Sequence, residues 1–254
     1  MRKRQKFVIS SVVISLGILL AQAAPLEWRY VLIFLLCGLS YLMSAWSLSE
    51  GLGGVEWLTV LLPQAVFTGA VGWFFILLPE VWWARIVLAV LFAIGHYALL
   101  LSGNIFSVAA IRTIALLRAA QTVSLVMTLL SGFLLFDTIV SFRFPIFGSS
   151  ILVLFASLLL SIPALWTVEV GESLNIKIVL YSLVIAFLLS VLSISISFWP
   201  TTISTSSLFL TSMLYCFLGL SSHHFSQRLF KNTVWEYVIV GSVVLITVLV
   251  TSLI

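Results

Sequence analysis

The sequence predicts an all-α, polytopic transmembrane helix bundle. Three observations carry this: the residue balance, a regular recurrence of long apolar runs, and the placement of basic, Trp and Pro residues at the ends of those runs. Of the 254 residues, 62% are hydrophobic and 8% are charged, whereas a soluble domain carries roughly 25% charged residues. So few charges cannot cover a globule in water. A mean hydropathy of +1.27 fits a chain whose outer surface meets lipid. In hydrocarbon each backbone N–H and C=O must find its partner within its own segment, so every long apolar run reads as a helix.

A span needs about 20 residues. Nine runs qualify in order: Phe7–Ala24, Tyr30–Leu48, Trp57–Leu78, Trp83–Leu101, Ala119–Ser141, Ser149–Trp166, Lys177–Phe198, Ser206–Ser221 and Val234–Leu253. The eighth is the shortest. The first also fits a cleavable signal peptide, with its basic start, a 14-residue apolar stretch and Ala21-Gln22-Ala23. Cleavage there would leave eight spans. The chain reads as a single integral membrane domain over residues 1–254. The longest connection, 102–118, follows a Ser-Gly-Asn break and is expected to form a helix lying at the inner surface, with a modest amphipathic pattern.

The basic residues set the orientation. With the N-terminus in the cytoplasm, Arg2, Lys3, Arg4, Lys6, Arg112, Arg118, Lys177, Arg228 and Lys231 fall inside, and only Arg29, Arg85 and Arg143 fall outside. All nine Trp lie near predicted span ends, where the ring is half buried and its N–H is wet. Pro25, Pro79, Pro145 and Pro200 fall in outer turns, while Pro63 and Pro163 lie within the third and sixth spans and predict kinks. The N-terminal basic cluster is short and abuts an apolar run, which reads as a membrane anchor and excludes nucleic acid. Cys37 and Cys216 sit inside apolar stretches and read as small buried hydrophobes.

Few polar residues remain to carry chemistry. His96 in the fourth span and Gln64 beside Pro63 lie about 7 and 10 Å from the inner ends of their predicted spans. Asn104, Gln121, His223 and His224 fall on the same side. Together they fit a cytoplasm-facing polar pocket with His96 as proton acceptor or ligand. They fit equally a hydrogen-bonded structural pair with interfacial histidines around it. Asp137, with Arg143 and Arg85 nearby, is expected to form an ion pair at the outer side, and Arg112 and Arg118 to meet lipid headgroups at the inner side. Two rows of small polar residues share one helix face each. One is Gln121, Ser124, Thr128, Ser131 and Thr138; the other is Ser182, Ala186, Ser190, Ser193 and Ser197. Both read as packing faces.

No phosphate-binding loop, H-E-x-x-H pair or G-x-S-x-G turn is present. The histidine and cysteine spacing matches no metal or haem ligand pattern, so no metal site and no cofactor are expected. The stretches Asn104–Gln121 (NIFSVAAIRTIALLRAAQ) and Phe136–Arg143 (FDTIVSFR) resemble uncharacterised multi-span membrane proteins of reduced-genome candidate-phylum bacteria. That resemblance implies a bacterial inner-membrane protein and assigns no functional residue. The leading expectation is a non-enzymatic accessory or scaffold component whose partners are membrane lipids and another membrane subunit. A small-solute permease, proton-coupled or not, and a lipid-modifying enzyme are the rivals.

Overall fold

A computed structural model describes residues 3–49, 51–78, 81–109, 115–171 and 173–253. Among them are ten α-helices and no strand: α1 (Lys3–Ala23), α2 (Leu26–Leu48), α3 (Glu56–Thr59), α4 (Leu62–Leu77), α5 (Trp82–Ala109), α6 (Leu117–Ser141), α7 (Ile146–Glu169), α8 (Ile176–Ser197), α9 (Ile203–Phe225) and α10 (Lys231–Leu253). Nine stretches are long and apolar enough to cross a membrane, with α3 and α4 together forming one of them, Glu56–Leu77. Most observed ends fall within a few residues of the apolar runs, because the hydrocarbon run and the helix that satisfies its backbone are the same segment.

The irregularity expected at Pro63 takes the form of a break. Proline has no N–H to give to the carbonyl of Thr59, and its ring crowds that turn. Accordingly α3 stops at Thr59, and α4 begins at Leu62 with the proline in its first turn, where the missing donor costs nothing. By contrast, α7 runs through Pro163 without interruption. A surface helix is expected over 102–118, of which 110–114 lie outside the described residues. Residues 102–109 prolong α5 to 28 residues, with Ser102, Gly103, Phe106 and Ser107 buried. Apolar Ile105 and Phe106 continue the helical pattern across the Ser-Gly-Asn sequence, so the polar triplet does not end the helix.

The helices gather into two compact units: Met1–Ser131 with Val170–Ser173, and Gly132–Glu169 with Leu174–Ile254. In the first, α1 packs on α2 and α5, and α4 packs on α2 and α5. Small residues permit the close approaches. A methyl group added at Gly72 would come within 2.8 Å of Ile33 Cγ2, and one at Gly95 within 2.8 Å of Phe67 Cζ. Phe67 and Phe92 stack with ring centroids 5.2 Å apart. Lys6 lies 5.5 Å from the centre of the Trp46 ring, an interfacial cation–π contact between α1 and α2.

In the second unit α7 packs on α8, and α9 contacts α7, α8 and α10. Gly132, at the start of this unit's part of α6, lies against Leu214 and Leu160. Gly219 admits the ring of Tyr237 from α10. Only 6% of the α10 span is buried, against 33–61% for the other spans. The rest of α10 presents Val, Leu and Ile side chains to its surroundings.

Candidate functional site

His96 stands on the buried stripe of α5, in register with Ala89, Phe92, Leu99 and Gly103. It is 0% exposed. Ser11 of α1 lies with its Oγ 3.2 Å from Nδ1, and Ser40 of α2 with its Oγ 3.1 Å from Nε2. The ring of Phe92 lies one turn away, centroid to centroid 5.6 Å. One assignment of the imidazole proton gives every hydroxyl in this set an acceptor. Ser40 Oγ donates to the Gln64 carbonyl at 3.3 Å. A hydroxyl has one proton, so Ser40 then accepts at its oxygen. Nε2 is therefore the N–H donor to Ser40, and bare Nδ1 accepts the Ser11 hydroxyl. The opposite tautomer would leave the Ser11 proton with no acceptor among these bonds. Thr68 completes the set, reaching the Gln64 carbonyl at 2.8 Å and Ser40 Oγ at 2.9 Å.

Gln64 and His96 thus occupy one interior, joined through Ser40 and the Gln64 backbone carbonyl rather than side chain to side chain. The Gln64 amide reaches the Leu99 carbonyl in a long bond of 3.5 Å. Its Oε1 has no partner among the described residues, and neither do Ser44 Oγ nor either amide atom of Gln22. The longer α5 also changes the depth of His96. Thirteen residues separate it from Ala109, about 20 Å of helix, where a span ending at Leu101 implies about 7 Å.

The other predicted residues divide. Asn104 is half-buried near the end of α5, and Gln121 half-buried on α6; neither hydrogen-bonds to His96. His223 and His224 belong to the second unit, against Tyr237 at 6.0 Å and Tyr181 at 5.6 Å between ring centroids. Asp137 accepts the Ser207 hydroxyl at 3.0 Å, and the expected ion pair with Arg143 is not formed. The reason is local: α6 ends at Ser141, and the chain turns at Arg143 with φ 48°, which leaves that side chain exposed. Arg85 is half-buried on α5, in the first unit. Arg118 is exposed at the start of α6, and Arg112 lies outside the described residues.

Most of both rows is buried, with Gln121 half-buried and Ser197 exposed at their ends. In α6 the hydroxyls of Thr128, Ser131 and Thr138 turn back onto the carbonyls of Ser124, Met127 and Leu134 at 2.7–2.8 Å. In α8, Ser197 does the same to Ser193, while Ser182 Oγ is buried without a partner among the described residues. Sequence reasoning missed Ser11 and Ser40, the residues that hold His96, because a lone serine in an apolar run gives no signal. It also missed Glu56, only 5% exposed, whose carboxylate accepts the Gly53 N–H at 3.1 Å where α3 begins. Among the described residues no three His, Cys, Asp or Glu side chains gather as a metal ion requires.

The nine stretches among the described residues that are long and apolar enough to cross a membrane define a polytopic integral membrane protein. Within that class, the chain belongs to the family described as protein of unknown function (DUF5656), which matches residues 41–251. No curated protein and no solved structure matches it.

Proposed function

We propose that this protein is a non-enzymatic accessory or scaffold component of a bacterial cytoplasmic membrane, with its N-terminus inside. One observation carries the reading. His96, the strongest candidate for chemistry, is fully buried with a serine hydroxyl on each ring nitrogen. A proton carrier or ligand needs a free nitrogen and a route to water; this ring supplies cross-links between three helices instead. The hydroxyls of α6 agree, since Thr128, Ser131 and Thr138 each give their proton to a carbonyl of their own helix four residues back. The orientation rests on the nine-to-three distribution of basic residues.

The permease reading draws on a different observation, the unpaired atoms of Gln22, Gln64 and Ser44. Cysteine accessibility separates the two. In a background lacking Cys37 and Cys216, Ser40→Cys and Gln64→Cys are exposed in membranes to a membrane-impermeant thiol reagent. A scaffold labels at neither position until denatured. Prompt labelling of the folded protein at either position refutes the closed interior. Affinity purification from the native membrane is expected to bring down a stoichiometric membrane partner. Recovery as a lone chain that catalyses solute uptake in proteoliposomes overturns the proposal.

A further inference from the structure

A groove of about 440 Å³ runs between α1 and α5 on the outer surface of the first unit. Its floor is made of small residues at i, i+4 on both helices, Ser11 and Ser15 on one and Ala89 and Ala93 on the other. The serine hydroxyls are already committed, Ser11 to His96 and Ser15 to the Ala89 carbonyl at 2.7 Å. The floor therefore offers only methyl and methylene groups. The walls are aliphatic and open to the surroundings: Val12 and Leu16 are 46% and 53% exposed, Val90 and Ile94 53% and 61%.

The dimensions select the occupant. Val8 to Leu19 on α1, and Tyr97 back to Ile86 on α5, each cover about 16 Å at 1.5 Å per residue. A volume of 440 Å³ over that length gives a cross-section of about 27 Å². One polymethylene chain, its carbons about 4 Å from their neighbours, fits such a slot. Such a slot matches a hydrocarbon chain lying along the spans, and the cation at its end, described next, points to a lipid that carries an anionic headgroup.

The end of the groove is charged. Arg4 precedes Val8 by four residues, so it stands on the same face of α1, about 6 Å beyond the groove's N-terminal-side mouth. It is exposed and makes no interaction among the described residues. Lys3 is adjacent in the sequence and also exposed, and Tyr97 marks the same mouth on α5. A guanidinium at this depth pairs with phosphate in a fork geometry.

We propose that the α1–α5 groove with Arg4 is a binding site for one anionic phospholipid of the leaflet on the N-terminal side, its acyl chain in the groove and its phosphate on Arg4. The test uses the full chain, purified in detergent, equilibrated with mixed micelles of equal palmitoyl-oleoyl phosphatidylglycerol and phosphatidylcholine, and stripped by detergent exchange. Retained lipid is then counted by native mass spectrometry. The wild type is expected to keep about one phosphatidylglycerol per chain. Ala93→Phe fills the floor and is expected to lower retention of both lipids at least tenfold. Arg4→Gln leaves the groove and the packing intact; it is expected to abolish the preference for phosphatidylglycerol while some lipid is still held. Leu183→Phe, on an exposed α8 position, is the control for added bulk and should retain as the wild type does. Unchanged retention in Ala93→Phe, or a phosphatidylglycerol preference that survives Arg4→Gln, overturns the proposal. Should Ala93→Phe fail to fold, the Arg4→Gln result alone decides it.

Discussion

Replacing His96 by alanine removes a side chain that ties α5 to both α1 and α2 through hydrogen bonds. The ring is fully buried, so its removal leaves a cavity as well as broken bonds. Truncating a buried aromatic ring costs about 3–5 kcal/mol, and interhelical hydrogen bonds in membranes average about 0.6 kcal/mol each. Ser40 keeps Thr68 and the Gln64 carbonyl, so only Ser11 loses its sole acceptor. The total is about 4 kcal/mol, since relaxation offsets part of the sum. At about 2–4 °C per kcal/mol for a domain of this size, the apparent Tm in detergent should fall by roughly 8–16 °C. His96→Phe keeps the ring and loses the bonds, so it should fall by about a third as much. The assay is size-exclusion chromatography of heated samples, following the surviving monodisperse peak. An alanine variant that unfolds within about 2 °C of the wild type while losing an activity or a partner would refute the structural role, and would identify His96 as a working group.

Four further outcomes are expected. Asp137→Asn should cost less than about 1 kcal/mol in the same assay, because the amide oxygen still accepts the Ser207 hydroxyl; a loss of about 3–5 kcal/mol would instead reveal a hidden buried ion pair. Gly103→Ala should cost about 1–3 kcal/mol, since a methyl there comes within 2.9 Å of Val60 Cγ1 and 3.3 Å of Gln64 Nε2; a neutral result would mean that α5 and the α3–α4 break are loosely packed. Gly219→Val should free α10 from α9, because even one methyl falls onto the Tyr237 ring, and should make a proteolytic site inserted at Gln227 sensitive while α7 to α9 stay protected. Reporter fusions after Leu48, Arg118, Thr167 and Lys231 should report cytoplasm, and fusions after Glu80 and Phe144 the exterior; inversion at any two neighbouring loops contradicts the nine-span orientation.

The spans were legible because hydrocarbon imposes a one-dimensional rule: a run long enough to cross must be helical and must end where polar residues return to water. That rule says nothing about which face of a helix meets another. In lipid the outside is as apolar as the inside, so the α1 sequence gives no sign that Ser11 points at His96 while Val8 and Val12 point away. Depth matching grouped Gln64, His96 and Gln121; in the structure Gln64 and His96 share one interior through Ser40, and Gln121 stands half-buried on α6. It failed for His223 and His224, which belong to the other unit, and for Asp137, whose partner Ser207 lies 70 residues along the chain. The α5 extension was missed because Ser102-Gly103-Asn104 reads as a helix stop, yet in the folded unit Ser102 and Gly103 are buried, with Val60, Gln64 and Leu48 close around Gly103.

The length of α5 has a consequence for the bilayer itself. Its 28 residues measure about 42 Å, against about 30 Å of hydrocarbon in a typical membrane. The surplus at its C-terminal end is partly covered by protein: a methyl group added at Gly51 would meet Ser107 Oγ at 3.1 Å, and one at Gly103 would meet Val60 and Leu48. This collar substitutes for lipid around the last turns of the helix. Local thinning of the membrane by several ångströms, ordinarily a route by which water reaches a buried polar group, would here expose the collar and leave the imidazole dry.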